Sequence, residues 1–404
     1  MHETEVFEKG RKILHILNDL GYESYFVGGA LRDYRLGREI HDIDIATPLL
    51  PDEVMRIFPK TVPIGVKHGT VLVLFEGESF EVTTFRMEDK YDDFRHPNEV
   101  YFVKDIVLDL ARRDFTMNAM AMNQDNEWMD PYHGLHDIQR KCVRAVGDAR
   151  ERFFEDPLRI LRGYRFCAQL DFDLDVETEM AACESAHFIQ HISIERIQLE
   201  MEKLLNAAYP QAVWKMLEKS DICSYMPFGK SVVSLYALEE YDFTKLHSIE
   251  EKWVLLYAAL QITTASLQFV KWRFSNQKRK TIERLFSVLE KKRAQNLTKS
   301  EIYTLGLAQS LAFTRIQSEL YHLDSEQRQQ QISEIWHSLP IKNRSDLLFD
   351  GKDVLLQTNQ KKGPWLGVLL KQLEAAVLNG ECVNNQYEME EWIEKWLQKS
   401  ENKY

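Results

Sequence analysis

A short apolar run, Tyr25-Phe26-Val27, leads straight into Gly28-Gly29-Ala30-Leu31-Arg32-Asp33, and nine residues later the chain reads Asp42-Ile43-Asp44-Ile45. This stretch constrains the fold more than any other. The apolar run and the alternating Asp-Ile segment both read as strands of a half-buried sheet. Side chains in a strand alternate between faces, so Asp42 and Asp44 point one way while Ile43 and Ile45 enter the core. Two carboxylates a few ångströms apart on one face repel each other unless a cation sits between them. Oxygen ligands of this kind favour Mg²⁺.

The two glycines let backbone amides approach phosphate oxygens without interference from a Cβ, and Arg32 supplies a guanidinium for the same anion. A glycine pair beside a basic residue is common, and so is a lone Asp-x-Asp. In this order and spacing they point together to metal-dependent nucleotidyl transfer, in which one metal ion activates the attacking hydroxyl and another neutralises the triphosphate. A third carboxylate usually comes from a neighbouring strand, and Glu81, in Ser79-Phe80-Glu81-Val82-Thr83-Thr84, is the candidate.

Apolar spacing is helical from Glu3 to about Leu20, and Thr70–Phe75 and Phe80–Phe85 add two more strands, so the first 150 residues are mixed α/β. Beyond them, helical patterns dominate in Pro157–Leu170, Ile194–Leu205, Gln211–Leu217, Ile249–Leu260, Ser275–Leu289 and Trp365–Val377. The polar stretch Asp324–Gln331 marks the start of a terminal subdomain, and the last 250 residues read as all-helical.

These motifs resemble the nucleotidyltransferase superfamily in its bacterial class II tRNA nucleotidyltransferase (CCA-adding) branch. The resemblance covers Gly28–Asp44, Arg112-Arg113-Asp114-Phe115-Thr116-Met117-Asn118, Asp130-Pro131 with Gly134 and Asp137, Glu155-Asp156-Pro157-Leu158-Arg159 with Arg162 and Arg165, and Ser193-Ile194-Glu195-Arg196. Gly351-Lys352-Asp353 and Gly363–Gly367 extend it weakly into the tail. It implies an α+β protein: a mixed α/β head with a small sheet (1–149), then an all-helical neck that reads the base (150–208), body (209–330) and tail (331–404) that bind tRNA. The implied reaction adds C, C and A to the tRNA 3′ end from CTP and ATP without a template. The implied machinery has Asp42 and Asp44 on Mg²⁺, Glu81 and Arg113 as further catalytic groups, and Gly28, Gly29, Arg32, Arg113, Asp156, Arg159, Arg162 and Arg165 on the nucleotide.

The implied base reading has a physical basis. Asp156 and Arg159 are three apart on a helix and hence share one face. An Asp accepts from the exocyclic amino group that C and A both carry, and an Arg donates to the adjacent ring nitrogen. Guanine and uracil oppose acceptor to acceptor, at about 1–3 kcal/mol per unsatisfied buried group. A solvated basic face, or pairing of Arg162 with Glu155 or Asp156, is the competing reading of the arginine stripe. The charged stretch Phe85–Pro97 occupies the position of a family loop needed for the final adenosine. Bacterial poly(A) polymerase is the alternative, disfavoured because Pro63-Ile64-Gly65-Val66-Lys67-His68-Gly69 stands where that branch carries a GRRF-type basic stretch; a non-catalytic helical RNA-binding scaffold is a second. The two His-Asp dipeptides, at 41–42 and 136–137, belong to the head, so no appended phosphohydrolase is expected.

Composition sharpens this. The net charge is −12, which taken alone argues against nucleic acid. It averages unlike halves: residues 1–210 hold 25 basic and 39 acidic side chains, whereas residues 211–404 hold 26 and 24. Residues 271–300 carry ten Lys or Arg against two Glu, with Trp272, Phe274 and Phe286 interleaved, a candidate phosphate track or else a solvated helical face. Five widely spaced cysteines without a CxxC fit neither a disulfide framework nor a zinc ribbon, and His187 and His191, four apart, lack a nearby third ligand. Without an apolar run of about 18 residues or a signal-peptide profile at Met1–Gly10, the expectation is a cytoplasmic protein with no membrane contact. A homodimer stays open.

Overall fold

The computed structural model describes residues 5–40, 42–88, 100–228, 234–262, 269–358 and 360–401. It divides into two compact units, residues 1–240 with 262–274, and residues 241–261 with 275–404. The boundary between them near residue 240 falls inside the expected body, 209–330. Most of Phe85–Pro97, from residue 89 onward, lies outside the described residues.

The first unit is built on a seven-stranded sheet in the order Thr61–Gly65, Thr70–Phe75, Glu78–Thr84, Asp44–Thr47, Tyr25–Val27, Ala121–Met122, Trp128–Met129. Asp44–Thr47 runs parallel to Glu78–Thr84, with Asp44 directly beside Glu81. The remaining pairs are antiparallel, and Val27 is paired with Asp44. The amphipathic helix Glu5–Asp19 buries Phe7, Ile13, Leu14 and Leu17. It crosses the sheet at Gly10, where a Cβ would come within 2.8 Å of the Phe26 ring. Another core cluster joins Val27, Ala46, Phe85, Ile106, Leu110, Ala119, Ala121 and Val146, so the strands that carry the site are anchored by buried apolar area.

Three expectations change in this unit. Asp42 is outside the strand: the ladder begins at Asp44, because its partner strand ends at Val27 and the chain turns away at Gly28. Ile43 and Ile45 are buried as expected. The edge strand Thr61–Gly65 lacks a strand signature because it contains Pro63 and exposes Val62 and Ile64, features that only an edge tolerates. Among the described residues beyond 150 the regular structure is helical except for Asp173–Leu174, which pairs with Cys142–Val143 and is too short to show a period.

The second unit is helical, over Ile249–Ala259, Asn276–Lys292, Lys299–Leu305, Leu307–Leu320, Ser325–Ser338, Gly351–Thr358, Pro364–Asn379 and Gln386–Glu401. Buried Glu251 receives two hydrogen bonds from Arg315, at 2.8 and 2.9 Å, tying two of these helices together. The polar stretch Asp324–Gln331 is the cap and first turns of Ser325–Ser338, a helix in which only Ile332 is buried. In the basic run, Lys271, Arg273, Lys280, Arg284 and Lys291 are exposed. Trp272, Phe274 and Phe286 are core residues, so they form no stacking surface for bases.

Candidate active site

The site is built around the turn at Gly28. Its φ of +80° is left-handed and strained for any residue with a side chain. A Cβ there would also lie 2.9 Å from Asp44 Oδ2. The turn aims the start of helix Gly29–Leu36 into the cleft, where its unpaired amides favour an anion. We predict that Gly28→Ala weakens binding of inorganic triphosphate to the cleft by about 10-fold through displacement of these groups, measured by calorimetric titration; native-like binding would refute this role of the turn.

A cleft of about 800 Å³ opens at this point. Gly28, Gly29, Arg32, Asp44 and Glu81 line it, with Arg113 beside Gly28 and Asp44, and Asp156, Arg159 and Arg162 line it from the segments after residue 150. Among the residues lining it are seven arginines and four carboxylates, so an acidic chain presents an anion-attracting cleft.

Burial pushes the Asp44 carboxyl up to about 6; Arg113 opposes this, while the neighbouring charges of Glu81 and Asp42 add to it. A carboxylate disfavoured in this way gains most from a bound cation. Asp42 is exposed and does not line the cleft, although its charge reaches Asp44. Among the described residues no three His, Cys, Asp or Glu side chains form a closed metal cage.

Asp156 is not on a helix. It joins Ala149–Glu155 to Leu158–Leu170 in extended conformation, because the residue before a proline is kept out of the α region. Arg196 donates to Asp156 Oδ2 at 2.7 Å and Leu158 N–H to Oδ1 at 3.1 Å. Arg159 donates to Glu155 at 2.7 Å and to the carbonyls of Arg152 and Arg112. The two groups thus reach one cleft while each is oriented by different partners. Arg165 leaves the expected stripe: it does not line the cleft, donates to buried Glu200 at 2.7 Å, and lies 4.0 Å from the centre of the Phe166 ring.

Arg162 pairs with Asp114 rather than with Glu155 or Asp156. Burial would raise the Asp114 carboxyl, but Arg162, the Asn118 amide and Arg159 outweigh it and hold it well below the ordinary carboxylate value of 3.8. A depressed folded pKa contributes stability above the unfolded value and loses it as the pH falls through the folded one. Asp114→Asn should therefore cost on the order of 2 kcal/mol at pH 7, with the gap to native closing only under strong acid; denaturant melts that show no gap at pH 7, or a constant gap into acid, would contradict this.

Several lining groups carry no distinctive signal of their own in sequence. Arg112, Asn118, Phe166 and Arg196 line the cleft, and Asn118 receives Arg32 at 2.9 Å. Among the described residues, Arg113 Nε and Arg196 Nη1 are buried without an acceptor. The Arg112–Asn118 motif marked the neighbourhood, but which members face the cleft depends on long-range packing.

Residues 24–144 match the Poly A polymerase head domain, and residues 244–393 match tRNA nucleotidyltransferase domain 2. The CCA-adding enzyme of Geobacillus sp. (strain WCH70) is 39% identical over 391 residues, spanning 96% of this chain and 97% of that protein. The crystal structure of the Bacillus stearothermophilus CCA-adding enzyme in complex with CTP superposes with a TM-score of 0.92 at 34% identity over 100% of both chains. The Thermotoga maritima CCA-adding enzyme complexed with tRNA shares the fold at a TM-score of 0.66 and 21% identity, spanning 98% of this chain and 96% of that one.

Proposed function

Because this chain belongs to the CCA-adding enzymes, we propose that the cleft of its first unit is where CTP and ATP are bound, read and joined to tRNA. The activity is template-independent addition of C, C and A to the tRNA 3′ end: the terminal hydroxyl attacks the α-phosphate, and pyrophosphate leaves. The observation that carries the assignment to this cleft is that Asp44 with Glu81 and Asp156 with Arg159 line one cavity, so transfer and base reading can act on one nucleotide.

In this reading the amides after Gly28, with Arg32 and Arg113, orient the triphosphate. A divalent cation follows from family membership; Mg²⁺ is our choice, held by Asp44 with Asp42 and Glu81 beside it, and when bound it would make the attacking hydroxyl more acidic and offset phosphate charge. Asp156 accepts from the amino group of C or A, and Arg159 donates to the adjacent ring nitrogen. A uracil or guanine carbonyl would face Asp156 without a donor, and the bonds that fix both side chains keep them from turning away to relieve the mismatch.

Residues 1–149 are read as the catalytic head, 150–208 as the base-reading neck, and 209–330 and 331–404 as body and tail on tRNA, with the exposed lysines and arginines of 271–300 as phosphate contacts. Among the described residues no helix is long and apolar enough to cross a membrane, and we place the work in the cytoplasm. Incubating the protein with tRNA that ends at its discriminator base, with CTP and ATP, should yield a product that stops at CCA on sequencing. An oligo(A) tail would indicate poly(A) polymerase, and no product would indicate a scaffold.

A further inference from the structure

Asp109 lies just before the arginine pair, on the short helix Ile106–Ala111, and is 1% exposed. Its carboxylate is fully engaged. Oδ1 accepts from the Arg86 backbone N–H at 3.2 Å and from Arg112 Nε and Nη2 at 3.0 and 2.7 Å, while Oδ2 accepts from Arg113 Nη2 at 3.2 Å. Arg113 also donates to the Asn118 carbonyl, at 3.4 Å.

Arg113 nevertheless stands beside Asp44. A Cβ built on Gly28 would lie 2.9 Å from Asp44 Oδ2 and 3.4 Å from Arg113 Nη1, so both groups border one backbone position. Among the described residues Arg113 forms an ion pair with Asp109, and none joins it to Asp44. Two carboxylates compete for one guanidinium, and the buried one, already ordered by Arg112 and Arg86, wins. We propose that Asp109 is a positioning residue that withholds Arg113 from Asp44 and so keeps the Asp44 oxygens open for the divalent cation. Without it, the freed guanidinium stands beside Asp44, and a pair there would occupy the lone pairs that a cation uses.

The inference rests on the reading of Asp44 as a cation ligand, and one titration separates the two. Mn²⁺ is added to the nucleotide-free full chain and free Mn²⁺ is followed by electron paramagnetic resonance. Asp109→Asn should bind about ten-fold more weakly than native, and Asp109→Asn with Arg113→Met should return to within about two-fold of it. Native-like binding by Asp109→Asn, or a double variant that stays weak, would overturn the proposal, because a purely structural role is not rescued by removing Arg113. Should Asp109→Asn fail to fold, Arg113→Met alone decides: loss of the charge beside Asp44 should tighten binding by no more than about three-fold, and about ten-fold tighter binding would mean that Arg113 is not withheld. Retention of Mn²⁺ binding by Asp44→Asn would instead refute the reading of Asp44 itself.

Discussion

Asp44→Ala should abolish CMP incorporation, by about 10³-fold or more, while leaving the fold intact. Both halves of this expectation come from one observation. The Asp44 carboxyl is raised to about 6 by burial and by Glu81 and Asp42, with Arg113 only partly offsetting this, so in the metal-free protein its charge opposes folding increasingly as the pH rises from the ordinary 3.8 through about 6, and fully above that. Removing it relieves that repulsion. Thermal melting at neutral pH without metal should therefore be unchanged or higher, whereas single-turnover incorporation of labelled CTP into tRNA lacking its terminus collapses. Near-native incorporation would end the case for Asp44 as the cation-holding group, and a collapsed melt would reduce it to a structural residue.

Base selection is the second large effect. Asp156→Ala should lower the ratio of kcat/KM for CTP over UTP by about 10–10²-fold, because the group that a uracil carbonyl cannot satisfy is gone. Arg159→Ala should act in the same direction and also slow every nucleotide, since Arg159 bridges Glu155 to the carbonyls of Arg152 and Arg112. Asp156→Ala is the cleaner test, because its partners are Arg196 and a local backbone amide. An unchanged ratio in both variants would remove the pair from base reading.

How much of this could be read from sequence depended on whether the signal was local. The glycine turn, the burial of Ile43 and Ile45 and the helices beyond residue 150 follow from spacing and backbone preference, and they appear as expected. The pairing of Glu81 with Asp44 needed only the rule that neighbouring strands share a face. Asp42 leaves the strand because its partner ends at Val27, a fact of pairing rather than of alternation. Asp156 leaves the helix because of Pro157, a local rule that the i, i+3 argument passed over. Arg165 turns to Glu200, 35 residues away, and Arg162 to Asp114, 48 residues away; periodicity carries no information about such partners. Net charge misled for a related reason: a total of −12 conceals a cleft lined by seven arginines.

The most direct test is anomalous diffraction from crystals grown with CTP and Mn²⁺. The account predicts a manganese peak on Asp44, with the triphosphate against the Gly28 turn and the amino edge of cytosine facing Asp156 and Arg159. Manganese away from Asp44, or a cytosine turned from Asp156, would contradict it.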